Sequence, residues 1–142
     1  MDTALNLIKR FEGLKVEAYP HRKDVSKAVW TIGYGTTQEI EPGMKISEAD
    51  AEDYLERDVS DLETRIKILV KRKLSGTEMA ALVSLVYNIG IERFKFSTLL
   101  KDLTAGQMLS AAFEFSRWVY IDGKPSPGLI NRRKVEHGVF LL

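Results

Sequence analysis

From Leu55 to Leu69 the apolar residues Leu55, Val59, Leu62, Ile66 and Leu69 recur at spacings of four and three, and most positions between them are polar or charged. Residues three and four apart share one face of a helix, so the pattern predicts a long helix with a narrow apolar stripe. Such a helix is too polar to be a core element and long enough to connect two lobes. Just upstream, Ser47-Glu48-Ala49-Asp50 resembles a capping box, with Asp in place of the usual Glu or Gln. Just downstream, Met79 to Tyr87 is apolar nearly all round, which predicts a buried helix at the centre of the larger lobe. No stretch rich in Pro, Gly or Ser follows the long helix, so the two lobes are expected to share one continuous structure.

The remaining segments fit around that frame. Ala4, Leu7, Ile8 and Phe11 sit at i, i+3, i+4 and i+7 and predict an N-terminal helix over 2–11, capped by Asp2 or Thr3 and ended by Gly13. Residues 14–46 read as a small twisted sheet of two or three short strands. Val29-Trp30-Thr31-Ile32-Gly33-Tyr34-Gly35 supplies β-branched and aromatic residues broken by glycines, and Pro42-Gly43 marks a turn. Further helices are expected at about 97–103, 107–119 and 127–141, with Ser97 and Ser126 as N-caps and Pro127 in a first turn. Phe113, Phe115 and Trp118 are assigned to the core. The fold class is α+β and mostly helical, with the sheet segregated at one end. A single domain over 1–142 is expected: a sheet lobe at about 14–46, a connecting helix at about 48–70, and a helical lobe at about 74–142 that includes the N-terminal helix. The cleft between the lobes is the natural place for a ligand.

Composition narrows the chemistry. The chain has no cysteine, which excludes disulfides, thiolate metal sites and a Cys nucleophile. His21 and His137 are too few and too scattered for a zinc site built on His alone, and no metal or organic cofactor is expected. Net charge is +1, so bulk charge does not argue for nucleic acid. An acidic run over 39–58 and a basic run over 65–73 read as solvated helix faces; a nucleic-acid-binding reading would rest on Arg65–Lys73 alone. No apolar run approaches the roughly 18 residues of a membrane span, and the N-terminus lacks the apolar core of a signal peptide. The chain is therefore expected to be made in the cytoplasm without a recognisable signal.

Glu12 stands out by position. It falls in the last turn of the first helix, where the negative end of the helix dipole disfavours a carboxylate. An exposed surface glutamate is the ordinary outcome there. If the group is partly buried beside Phe11, the same placement favours its protonated form, which is what a general acid needs at neutral pH.

A resemblance joins these residues. Phe11-Glu12-Gly13, Ala18-Tyr19-Pro20, Trp30-Thr31-Ile32-Gly33-Tyr34-Gly35-Thr36 and Pro42-Gly43-Met44 occur in order, followed by Ala81-Leu82-Val83-Ser84 with Asn88-Ile89-Gly90. Phe96-Ser97-Thr98-Leu99-Leu100, Arg117-Trp118 and Gly128-Leu129-Ile130-Asn131-Arg132-Arg133 with Glu136 complete the set. Together they resemble the phage-type lysozymes, the glycoside hydrolase family that includes the T-even and lambdoid phage enzymes.

That resemblance implies an endolysin-like N-acetylmuramidase acting on the peptidoglycan glycan strand as a monomer, at the cell wall or periplasm after release. It makes Glu12 the general acid and Thr31 the residue that positions the attacking water. Inverting glycosidases place a second carboxylate roughly 6.5–9.5 Å from the acid. Family members generally carry an Asp nine residues after the glutamate, but here that position holds His21, and the stretch from there to Thr31 is longer than in short-loop members. Three alternatives follow: Asp24 takes the missing carboxylate's place, His21 is itself the base, or the base is lost. Tyr34, Asn131 and Arg132 are the expected substrate-binding residues, with ion pairing an equal alternative for Arg132 and Arg133. The altered position 21 also keeps open a lysozyme fold that binds peptidoglycan or a protein without cutting.

Overall fold

The computed structural model describes residues 2–21 and 29–142. Helix α1 (Asp2–Glu12) turns Ala4, Leu5, Leu7 and Ile8 into the core. It ends because Gly13 adopts φ 69°, and the Gly13 N–H donates to the Lys9 carbonyl at 3.2 Å. Strand β1 (Lys15–Pro20) then pairs antiparallel with β2 (Trp30–Gly33), with Tyr19 opposite Thr31. The segment at 44–46 joins the same sheet: Ala18 N–H donates to Met44 and Ile46 N–H donates to Val16, both at 2.9 Å. After β2 the chain reverses within a few residues, and Ile32 and Thr36 exchange two backbone hydrogen bonds of 2.9 Å.

The connecting helix is α2 (Glu48–Val70). Its capping box is formed as the sequence predicts: Ser47 accepts from Asp50 N–H, and the Asp50 carboxylate accepts from Ser47 N–H. The buried face is Ala51, Leu55, Val59, Ile66 and Val70, while Leu62 and Leu69 are only half-buried. Helix α3 (Gly76–Ile89) starts on a second capping box, Ser75 with Glu78, and every residue from Ala80 to Val86 is buried. It is the hub: α1, α2 and α7 (Pro127–Phe140) all pack on it. Ser126 caps α7, and Pro127 follows in its first turn.

Between α3 and α7 run α4 (Ile91–Lys95), α5 (Thr98–Thr104, capped by Ser97) and α6 (Met108–Glu114). Here the sequence-based expectations need correction. The helix expected over 107–119 stops at Glu114 and continues as a 3₁₀ turn, Phe115–Arg117. Because α6 turns Ala111 and Ala112 inward, Phe113 comes round to solvent and is 78% exposed instead of buried. The tighter 3₁₀ winding redirects Phe115 into the core, 5.4 Å from the Phe140 ring centroid. Two elements went unanticipated: α4, and a hairpin of β3 (Tyr120–Ile121) with β4 (Lys124–Pro125). The hairpin turn is Asp122-Gly123, both at positive φ. Among the described residues no helix is long and apolar enough to cross a membrane.

Candidate active site

Glu12 is the last residue of α1, and its side chain is one-quarter exposed. Arg132, on α7, fixes it: Nη1 donates to Oε1 of Glu12 at 2.7 Å. The guanidinium is itself buried and held from several sides. Its Nε donates to Glu136 Oε2 at 3.2 Å, its Nη2 donates to the Ser84 carbonyl at 2.9 Å, and it lies 5.4 Å from the Phe11 ring centroid. Charge-assisted bonds of this kind are strong and directional, so the carboxyl has a defined orientation.

The other side of Glu12 is formed by the turn after β2. A Cβ on Gly35 would lie 3.5 Å from Glu12 Oε2 and 3.3 Å from the Tyr87 hydroxyl and ring edge. With φ at 95°, Gly35 meets both a steric and a conformational demand for glycine. The Tyr87 hydroxyl donates to the Tyr34 carbonyl at 2.7 Å, which ties α3 to the turn. Burial pushes the Tyr87 hydroxyl well above the ordinary tyrosine range, and the negative charges of Asp58 and Glu12 push it the same way. Tyr19 is also raised, first by burial and then by Glu12. Thr36 donates to Asp58 Oδ2 at 2.9 Å behind the turn. A cleft of about 350 Å³ opens along Gly35, Thr37, Asp58, Arg65, Tyr87 and Gly90. Gly35 and Tyr87 therefore border both the cleft and the environment of Glu12.

The family model for phage lysozyme matches residues 9–136, which include Glu12, the turn, Tyr87 and Arg132. The chain belongs to the phage lysozyme family. It is 38% identical over 143 residues to an endolysin of Acyrthosiphon pisum secondary endosymbiont phage 1, covering 98% of this chain and 95% of that one. An endolysin of Bacillus phage B103 is 40% identical over 138 residues, but the match spans 96% of this chain and only 52% of that protein. Among solved structures, the muramidase domain of SpmX from Asticaccaulis excentricus superposes with a TM-score of 0.89 at 32% identity, covering 100% of this chain and 97% of that one.

Within this phage lysozyme framework, the structure brings together some of the residues singled out from sequence and not others. Glu12 and Arg132 meet directly. Thr31 is buried on β2, its hydroxyl 3.4 Å from the Val29 carbonyl, and it pairs with Tyr19, which feels the charge of Glu12. His21 is exposed at the end of β1, where its N–H donates to the Val29 carbonyl at 2.9 Å. Asp24 lies outside the described residues. The Tyr34 ring is packed in the core beneath Lys9, and its backbone carbonyl accepts from the Tyr87 hydroxyl. Asn131 is exposed on α7. The Arg132 side chain is committed to Glu12, Glu136 and Ser84, the ion-paired alternative of the two considered.

Sequence reasoning missed Tyr87, Ser84 and Glu136. Ser84 is a lone hydroxyl in a run of buried apolar residues, and Glu136 follows Arg133 by three and Arg132 by four on one helix face. Both were visible as buried polar groups needing partners. Arg133 completes the cluster, bonding Asn88 through Nη2 and facing Glu136 through Nε at 3.3 Å. Burial pushes the Arg133 guanidinium down to about 10 and pushes the Glu136 carboxyl up.

Proposed function

We propose that this chain is an endolysin-type muramidase that hydrolyses the β-1,4 bond between N-acetylmuramic acid and N-acetylglucosamine in peptidoglycan. The observation that carries the reading is the setting of Glu12: a partly buried carboxyl, oriented by Arg132 and approached by the Gly35 turn, beside an open cleft. Glu12 protonates the leaving glycosidic oxygen. Water attacks the anomeric carbon from the opposite face of the sugar, positioned by Thr31 and deprotonated by Asp24 or His21, which gives inversion. The turn lays backbone from Tyr34 to Thr36 along the sugar chain, and Asn131 offers an amide to an N-acetyl group. The similarity to endolysins of two phages and to a muramidase domain supports this substrate. The chain acts as a monomer on the cell wall after leaving the cytoplasm, without a metal or organic cofactor.

Glu12→Gln tests the acid. The variant should lose turbidity-clearing activity on outer-membrane-stripped cells while keeping its fold, and undiminished lysis removes Glu12 from the mechanism. Comparing Asp24→Asn with His21→Ala assigns the base: the larger loss marks it, and if neither lowers activity beyond a few-fold, both assignments fail. His21 at the family's aspartate position favours one second reading, a lysozyme fold that holds peptidoglycan without cutting it. Protein that sediments with sacculi and releases no muropeptides would establish that reading instead.

A further inference from the structure

On α7, Ile130, Arg133, Lys134 and His137 recur at helical spacing and share one face. That face meets Phe113 of α6 and Val119, which follows the 3₁₀ turn, across a pocket of about 320 Å³. The pocket shares no lining residue with the cleft beside Glu12, and the proposed hydrolysis does not use it.

Two features separate it from an ordinary surface depression. Its walls at Phe113, Val119 and Ile130 are apolar, yet Arg133, Lys134 and His137 also line it and none of the residues lining it is acidic. Among the described residues, the Lys134 and His137 side chains have no ion-pair partner. The second feature is the state of Arg133, which is 2% exposed and whose Nη1 has no acceptor among the described residues. Its Nε faces Glu136 Oε1 at 3.3 Å without a hydrogen bond, and Arg132 draws on the same carboxyl group. A buried guanidinium with donors left over is costly, and burial pushes this one down to about 10.

We propose that this pocket binds a carboxylate carried on a short aliphatic body. The aliphatic part packs between Phe113, Val119 and Ile130, and the carboxylate sits at the edge formed by Lys134 and His137. There the Lys134 ammonium donates charge-assisted hydrogen bonds, the His137 ring offers an N–H, and Arg133 adds positive charge from beneath. The apolar walls hold water back and so strengthen each of these attractions. A purely apolar ligand would leave the cations unanswered, and an inorganic anion would leave the walls facing water. A free aliphatic acid and a peptide ending in an alanyl carboxylate both offer the required chemistry.

The test is a titration of the full chain, followed by heteronuclear NMR, with hexanoate and with N-acetyl-alanyl-alanine. Hexanamide and the dipeptide amide are the neutral controls. At least one acid should shift the amides of Val119, Ile130, Lys134 and His137 saturably and bind at least about ten-fold more tightly than its amide, the factor expected of one charge-assisted bond. The tighter of the two acids identifies the source, free acid or peptide terminus. Lys134→Gln, a change at an exposed position, should raise the Kd about three- to ten-fold. Phe113→Ala should raise it for the acid and the amide alike, because it removes apolar wall. The proposal is overturned if neither acid shifts these amides saturably, if acid and amide bind equally, or if Lys134→Gln leaves the Kd unchanged. Muropeptide release enters none of these measurements, so their outcome is independent of the muramidase reading.

Discussion

Gly35→Ala probes the closest approach in the site. At φ 95° an added Cβ would be strained whatever the space around it, by about 1–2 kcal/mol. That Cβ would also meet the Tyr87 ring and hydroxyl at 3.3 Å and Glu12 Oε2 at 3.5 Å, so Tyr87 must yield by a few tenths of an ångström. Forcing a methyl into a packed contact adds about 1–2 kcal/mol, for a total of about 2–4 kcal/mol. At about 2.1 cal/mol/K per residue, 142 residues correspond to an unfolding entropy of roughly 0.3 kcal/mol/K. The melting temperature should therefore fall by about 7–13 °C. Activity should fall further than stability requires, by about ten-fold at a temperature where the variant is folded, because a misplacement of 1 Å in a catalytic group costs about a hundred-fold. Gly43→Ala is the matched control: φ is 85°, but nothing lies within 4 Å of the added methyl. It should melt about 3–7 °C lower through strain alone and retain its activity. Thermal melts and turbidity assays on the pair separate the two contributions. If Gly35→Ala matches Gly43→Ala in both measurements, the approach of the turn to Tyr87 and Glu12 does not position the acid.

Three further predictions follow from the same geometry. Tyr87→Phe removes the donor to the Tyr34 carbonyl and should lower stability by about 1–2 kcal/mol in denaturant titration; a loss near zero would mean that the bond does not secure the turn. Phe94, fully buried in α4, should lose about 3–5 kcal/mol on truncation to Ala, read as a shift in denaturation midpoint at constant slope. For Glu136, burial raises the folded-state carboxyl above its ordinary value of 4.5, so the folded chain keeps that proton to higher pH than the unfolded chain does. Its stabilising contribution is complete below 4.5 and is lost as pH rises through the raised folded value, so wild-type stability measured against Glu136→Gln should decline over that range. A difference that rises with pH would contradict burial as the dominant influence on this group.

Local signals explain what was readable from the sequence. Ser47 with Asp50 places the start of α2 because both partners of a capping box lie within one turn, and the run from Met79 to Tyr87 declares a buried helix by composition alone. The fate of Phe113 depends instead on where α6 gives way to a 3₁₀ turn, a matter of packing against α5 and α7 that no short window contains. Asp122-Gly123 is a recognisable turn signal, but strands of two residues leave no alternation to read. In the site, Glu12 was legible because a helix end and a family motif coincide there. The burial of the Tyr34 ring was not, since a tight turn can present either ring or backbone, and the tie to Tyr87 that selects backbone comes from 53 residues away.

The two halves of the proposed chemistry are built by different parts of the chain. Glu12 is fixed from the helical side by Arg132, 120 residues distant, which in turn depends on Ser84 and Glu136. Its setting therefore exists only once α1 and α7 have both docked on α3. The residues that would ready the water, His21, Asp24 and Thr31, all belong to β1, β2 or the segment between them. Among the described residues, the hydrogen bonds that orient Glu12 run through Arg132, Glu136 and Ser84. A change at position 21 is therefore expected to act on the proposed water-activating side while leaving the Glu12–Arg132 pair in place. On this division, His21→Ala or Thr31→Ala should lower the rate of turbidity loss while leaving stability nearly unchanged, whereas Arg132→Ala, which removes the donor that orients Glu12, should lower both.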